Sequence, residues 1–274
     1  KEIKSVDNTK KLSHLGLCSG YSGIERGIEL AGTKLRTLAH VEIEAYAIAN
    51  MVAKMEEGKL DPCPIWTDLK TLPLEPFRGE VDLLTGGYPC QPFSLAGKRL
   101  GSEDPRHLWP HILKIIDGIM PRMCFFENVE GHVNNGLQQV LADLEARGYS
   151  CSWGIFSAEE VGAPHRRKRV FILADSLSSG MRRGRSSERV FILADSDSTL
   201  SKRGRIPGRV DKEHTIINGR GNESRGFATQ QWSSEPRLGR VVNGCTDRVD
   251  RLRLLGNGVV PQTAALAWKV LTRL

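Results

Sequence analysis

Cys90 sits in the densest run of unusual residues in the chain, Gly86-Gly87-Tyr88-Pro89-Cys90-Gln91-Pro92-Phe93-Ser94. Two glycines and two prolines fix an irregular loop there, directly after the apolar run Val81 to Thr85, which reads as a strand. A free cysteine is most often a small buried hydrophobe, but a loop at the C-terminal edge of a strand is where open α/β sheets keep their sites, and this one points to a nucleophile. That role needs a thiolate, since an unperturbed cysteine titrates near ~8.5. A second candidate closes the run Met123-Cys124-Phe125-Phe126, where Glu127 opens Glu127-Asn128-Val129. A carboxyl backed by apolar residues favours its protonated form and can donate a hydrogen bond. The third is His165-Arg166-Arg167-Lys168-Arg169, which precedes another strand. A charge run is usually a solvated face, yet alternate residues at a strand start point one way, so Arg167 and Arg169 are expected to face the site together.

A different chemistry is suggested nearer the N-terminus. Leu15 to Cys18 leads into Ser19-Gly20-Tyr21-Ser22-Gly23 and then a helical pattern: a strand, a tight glycine turn and a helix start. Glycines let a ligand approach the backbone closely, although a purely structural turn would look the same. Glu42 lies 22 residues beyond Gly20, at the end of the next strand, where a carboxylate can accept hydrogen bonds from ribose hydroxyls. The turn lacks the full G-x-G-x-x-G pattern, so a nucleoside cofactor without a pyrophosphate fits better than a dinucleotide.

The elements that must position these residues alternate. His14 to Cys18, Leu35 to Val41, Val81 to Thr85, Met123 to Glu127, Cys151 to Phe156 and Val170 to Ala174 read as buried strands. Ile24 to Ala31, Ala45 to Lys54, Leu108 to Met120 and Leu137 to Arg147 carry apolar residues at helical spacing, and Gly148 stands where a helix stop is expected. This alternation implies an α/β fold with a mostly parallel, doubly wound sheet. A last apolar stretch, Leu254 to Leu274 with Pro261 opening a helix, is expected to return and pack on the same domain.

Composition places few limits beyond these. Of 274 residues, 39 are Lys or Arg and 32 are Asp or Glu, a formal net charge of +7. At 39% hydrophobic and 26% charged, the chain is that of a globular protein, long enough for one or two domains of roughly 100–200 residues. The charge is unevenly spread: residues 166–253 hold 20 basic and 10 acidic side chains, a net +10, leaving −3 for the rest. Either a solvated loop region or a polyanion-binding module accounts for that segment. It also contains a near-repeat offset by 20, since Arg169 to Ser176 recurs as Arg189 to Ser196 and Arg182-Arg183-Gly184-Arg185 as Lys202-Arg203-Gly204-Arg205. Two copies are too few for a solenoid and indicate a local duplication. The six cysteines are scattered, with no C-x-x-C pair, so neither a disulfide framework nor a zinc site is signalled. Apolar runs fall far short of the ~18 residues of a membrane helix, and the polar start Lys1-Glu2-Ile3-Lys4 is no signal peptide, so a cytoplasmic protein without membrane association is expected, its first residue not being Met.

Taken in order, these motifs resemble those of the DNA (cytosine-5) methyltransferases, of bacterial or phage type, over nearly all of residues 12–174 and 246–274. The resemblance implies a doubly wound Rossmann-like S-adenosylmethionine-dependent methyltransferase fold with a small inserted target-recognition region. It implies a catalytic domain over 1–174, a short basic target-recognition region over 175–248, and a C-terminal segment over 249–274 that rejoins the catalytic domain. It makes Cys90 the nucleophile and Glu127 the acid, with Arg167 and Arg169 supporting the target base. The cofactor residues it implies are Cys18, Ser19 and Gly20 in the turn, Glu42 on ribose, Ile43 beside adenine, Asp68 on the adenine amino group, Pro89 and Leu108. Gly256-Asn257-Gly258-Val259-Val260-Pro261-Gln262 is similar to the family's last motif and adds Asn257 and Gly258. Candidate DNA contacts are Gln91, Ser94, Lys98 and Arg99 beside the nucleophile, and Arg182, Arg183, Arg185, Lys202, Arg203 and Arg205 in the basic segment. Two positions depart from the family: Cys18 stands where Phe is usual, and His165 where Gln is usual.

The activity so implied is methyl transfer to C5 of a cytosine flipped out of double-stranded DNA, by a monomer in a bacterial or phage-infected cell, within DNA methylation of the restriction-modification kind. Cys90 would add to C6 while Glu127, bonded to N3, stabilises the density pushed into the ring. An RNA cytosine methyltransferase of the same fold, or a non-catalytic DNA-binding relative, are the alternatives. A zinc deaminase would share His40-Val41-Glu42 and Pro89-Cys90, but Phe93 occupies the place of its second cysteine ligand.

Overall fold

A computed structural model describes residues 11–89, 108–176, 191–193 and 256–273. Strands and helices alternate as their patterns require: β1 (Leu12–Leu17), α1 (Gly23–Leu30), β2 (Leu35–Val41), α2 (Ala45–Glu56), β3 (Ile65–Trp66), β4 (Leu83–Gly86), α3 (Trp109–Ile119), β5 (Met123–Val129), α4 (Leu137–Glu145), β6 (Ser150–Phe156), β7 (Arg169–Asp175), β8 (Phe191–Leu193) and α5 (Pro261–Leu271). Each strand and helix expected from the sequence is present, with ends moved by three residues at most. The short edge strand β3 is additional; two residues are too few to show a period.

These strands form one sheet in the order β3-β2-β1-β4-β5-β7-β6-β8. Neighbours from β3 to β5 are parallel, as the alternation with helices demands. β7 departs from that rule and lies antiparallel between β5 and β6. The reason is in the connection: between β6 and β7 the chain makes only a short 3-10 turn, Glu159–Val161, and not the α-helix that usually carries a crossover to a parallel position. β8 belongs to the second copy of the repeated segment and runs parallel to β6, with Phe191 opposite Trp153 and Leu193 opposite Ile155. The two copies therefore flank β6 on opposite sides; the remainder of the second copy lies outside the described residues.

Alternation along the central strands divides the core between the two faces. Leu84, Phe126 and Ile172 point to the side covered by α3 and α4, where Ile112, Ile116, Val140 and Leu144 meet them. Leu83, Phe125 and Phe171 point to the side covered by α1 and α5, with Ile24, Ile28, Ala264 and Trp268. Trp268 stands edge-on to Phe125, their ring centres 5.1 Å apart. The C-terminal helix thus returns to the first helix, as expected, and Gly27 is where the two cross. A Cβ at Gly27 would lie 2.5 Å from Ala264 Cβ and 2.6 Å from the Pro261 carbonyl oxygen, so only glycine permits that approach.

Strand order reverses between β1 and β4, one leading outward to β2 and β3, the other to β5. Open α/β sheets place a crevice at the carboxyl ends of two such strands. The glycine turn after β1 and the Gly87-Tyr88-Pro89 run after β4 both end there.

Candidate functional site

The crevice is a cleft of about 780 Å³ between the glycine turn, the ends of β2, β4 and β5, and the C-terminal turn before α5. All ten residues expected to hold the cofactor line it: Cys18, Ser19, Gly20, Glu42, Ile43, Asp68, Pro89, Leu108, Asn257 and Gly258. Gly20 takes a positive φ of 54°, and a side chain there would meet nothing within 4 Å, so its backbone is open to a ligand. Glu42 is buried and doubly held: its Oε2 accepts from the Gly20 N–H at 2.7 Å and its Oε1 from the Glu44 N–H at 2.9 Å. Each oxygen keeps acceptor capacity for a ribose hydroxyl. Asp68 is fixed by the Lys70 N–H, which donates to Oδ1 at 2.9 Å. Ile43 is 74% exposed, an apolar side chain presented to the cleft beside them. Cys18 is no rival nucleophile, because burial, with Glu42 adding to it, pushes its thiol up to about 12.

Glu127 lies near the end of the buried stretch of β5 and lines the same cleft. A Cβ added at Gly87 would lie 3.4 Å from Glu127 Oε2, so the acid rests against the backbone that leads into Pro89 and Cys90. Asn128 braces this loop: its amide donates to the Tyr88 carbonyl at 3.1 Å. Tyr88 is held in turn by its hydroxyl, 3.0 Å from Nε2 of buried His132, and by edge contacts with Phe126 and His132. Burial raises the Glu127 carboxyl to about 7 despite two arginines that act against it.

Arg169 joins the acid as expected, its Nε 2.8 Å from Glu127 Oε1. Arg167 does not. β7 begins only at Arg169, and Arg167 has a positive φ of 29°, so strand alternation does not reach it. Its Nη2 instead donates to the carbonyl of Gly256 at 2.7 Å and to that of Gly258. Tyr21 grips the same turn, its hydroxyl donating to the Val259 carbonyl, while Lys54 donates to the Tyr21 carbonyl at 2.9 Å. Sequence reasoning passed over Tyr21, Asn128 and His132. Only Tyr21 left a signal, a large aromatic inside a glycine turn.

Cys90, Gln91, Ser94, Lys98 and Arg99 lie outside the described residues, as do Arg182, Arg183, Arg185, Lys202, Arg203 and Arg205 and nearly all of the 175–248 region.

The strand order, with the antiparallel β7 and a cleft at the β1/β4 switch point, is that of the Rossmann-like fold of S-adenosylmethionine-dependent methyltransferases. Solved structures agree: a DNMT2 mutant of Spodoptera frugiperda superposes with a TM-score of 0.63 over 96% of this chain and 100% of that one at 16% identity. Dnmt2 of S. pombe gives 0.60 over 96% and 99% at 19% identity. The family model for C-5 cytosine-specific DNA methylases matches residues 12–223, and the chain belongs to that family. Type II methyltransferase M.NgoBV of Neisseria gonorrhoeae is 33% identical over 184 residues, 62% of this chain and 42% of the relative. M.AquIA of Picosynechococcus is 31% identical over 186 residues, 61% of this chain and 73% of the relative. The chain spans about two fifths of the length of several curated relatives it matches, 42% for M.NgoBV and M.NlaIV.

Proposed function

We propose that the protein is a DNA (cytosine-5) methyltransferase that modifies a flipped-out cytosine in duplex DNA, using S-adenosylmethionine. The observation that carries this reading is the placement of Glu127. It is a buried carboxyl, raised to about 7, against the backbone of the Pro-Cys loop and in one cleft with the glycine turn.

The cofactor supplies an electrophilic methyl group. Its residues suit a nucleoside: a turn without side-chain obstruction at Gly20, a fixed carboxylate at Glu42 and a second one at Asp68. The cleft volume is within the ~300–1,000 Å³ usual for small-molecule sites. Cys90 follows Pro89 directly and acts as thiolate, bonding to C6 of the cytosine. Glu127 in its acid form donates to N3 and stabilises the charge that the new S–C6 bond pushes into the ring. Arg169 steadies that carboxyl from β7. With the enriched C5 taking the methyl group, S-adenosylhomocysteine would leave as the neutral sulfide; loss of the proton from the methylated C5 and cleavage of the S–C6 bond then restore the aromatic ring and the thiolate.

The net +10 of residues 166–253 is the DNA-facing part of this reading, with the 175–248 region choosing the target. Relatives named type II methyltransferases support a restriction-modification setting and a bacterial or phage-infected cytoplasm. Bisulfite sequencing of DNA from cells expressing the chain tests the proposal: protected cytosines in a recurring context are expected, and their disappearance with Cys90→Ala. Methylation confined to RNA, or retained by the Ala variant, overturns it.

A further inference from the structure

Gly16 is the penultimate residue of β1, in register with His40 of β2 on one side and Thr85 of β4 on the other. All three positions face α1. With no side chain at Gly16 the sheet has a notch, and polar groups converge on it. A Cβ there would lie 2.6 Å from Ser19 Oγ and 2.8 Å from His40 Nδ1, closer than real atoms pack, and 3.0 Å from Glu25 Oε1.

Two sets of hydrogen bonds fill the notch. Thr85 donates to Glu25 Oε1 at 2.7 Å, so its oxygen accepts from His14 Nε2 at 2.8 Å, which leaves His14 Nδ1 to accept from the Thr37 hydroxyl at 3.1 Å. This chain ties α1 to β1, β2 and β4. Beside it, His40 Nδ1 lies 2.9 Å from Ser19 Oγ. Ser19 belongs to the turn that lines the cleft.

The His40 contact is one of three from consecutive residues. The Val41 carbonyl accepts from the Ser19 N–H at 3.3 Å, and Glu42 accepts from the Gly20 N–H at 2.7 Å. Side chain, backbone and side chain of residues 40, 41 and 42 thus hold two successive turn residues. His40 is fully buried, and its Nε2 finds no hydrogen-bond partner. A leucine would fill this strand position without that desolvation cost, so packing alone does not account for a histidine. The bond to Ser19 does.

We infer that His40 is a positioning residue for the cofactor turn: through Ser19 it fixes the backbone of residues 18–20 in the shape that receives the nucleoside cofactor. The inference rests on the cofactor site proposed above, and it adds to that site a residue which itself does not line the cleft.

Calorimetric titration of the whole chain with S-adenosylmethionine and with S-adenosylhomocysteine tests it. His40→Leu and Ser19→Ala are each expected to raise Kd about tenfold, the affinity equivalent of one hydrogen bond. His40→Asn, whose amide can still reach Ser19, is expected to stay within about threefold of wild type, and the double variant to bind no more weakly than either single one, since both remove the same contact. Should His40→Leu fail to fold, Ser19→Ala and His40→Asn carry the comparison. Single variants with unmoved Kd, an Asn variant as weak as the Ala one, or losses that multiply in the double variant overturn the inference alone. A wild-type chain that takes up neither ligand overturns the cofactor site and this inference together.

Discussion

Arg169 Nε lies 2.8 Å from Oε1 of Glu127 because β7 runs antiparallel to β5. In that register Arg169, the first residue of β7, is opposite Val129, the last of β5, and Glu127 is its diagonal neighbour on the same face. A parallel β7 would carry the arginine to the far edge of the sheet. The antiparallel strand thus delivers a cation to an acid that the rest of the sheet presents at its carboxyl edge. By that approach Arg169 works against the protonation that burial imposes on Glu127.

The first prediction concerns this carboxyl. Burial lifts Glu127 to about 7 against the pull of Arg169 and Arg167, so the acid form prevails below that pH and is lost above it. The profile of kcat/KM for DNA methylation is expected to fall as pH rises through about 7. Glu127→Gln is expected to lower the rate by about 10²-fold and to remove the alkaline limb. A limb that persists in the Gln variant assigns it to another group.

Arg167 gives the second. Its guanidinium holds the carbonyls of Gly256 and Gly258, two residues of the turn that closes the cleft. Charge-assisted hydrogen bonds of this kind contribute roughly 1.5–3 kcal/mol each, so Arg167→Ala is expected to raise the cofactor Kd by about tenfold or more and to open the segment before α5 to trypsin. If Arg167 contacts the target base instead, DNA affinity falls while the cofactor Kd and the digestion pattern stay as in wild type.

The contrast between Arg167 and Arg169 marks how far the sequence could be read. Strand bodies were legible because buried strands of an α/β sheet are short apolar runs, and β2 occupies Leu35 to Val41 as its residues suggest. The lining of the cleft was legible because a glycine turn after one strand and a carboxylate after the next are fixed by local chain geometry. Arg167 was not, since alternation applies only within a strand and β7 starts two residues later. Nor was the antiparallel sense of β7, which depends on what the β6–β7 connection lacks. The His40–Ser19 contact spans 21 residues and exists only because Gly16 leaves room for it, a relation no single segment displays.

A third prediction follows from the crossing of α1 and α5. A Cβ at Gly27 meets not only Ala264 Cβ but the Pro261 carbonyl and, at 3.0 Å, the Ala265 nitrogen, so backbone must move to admit it. Gly27→Ala gains roughly 1 kcal/mol of helix propensity. Overpacking against backbone costs about 1–3 kcal/mol, so a lower urea midpoint and partial release of α5 are expected. A midpoint above wild type would mean that α5 adjusts without loss.

The fourth concerns acid stability, where two buried groups act in opposite directions. His40 is lowered from 6.5 to about 4 by burial, and His14 is lowered too, by burial and then by His40. Between those pH values the unfolded chain binds protons that the folded histidines refuse, so their contribution is intact above 6.5 and is lost as pH falls toward about 4. For His40 the loss is about 3 kcal/mol. Glu127, raised from 4.5 to about 7, has the opposite sign: the folded state keeps a proton the unfolded chain has released, and stability is lost as pH rises through that interval. Urea unfolding at intervals from pH 4.5 to 7.5 separates the two. Relative to wild type, His40→Asn is expected to become progressively more stable as pH falls, and Glu127→Gln as pH rises. Parallel curves for His40→Asn and wild type would mean that His40 is protonated in the folded state, which the burial of its Nε2 without an acceptor opposes.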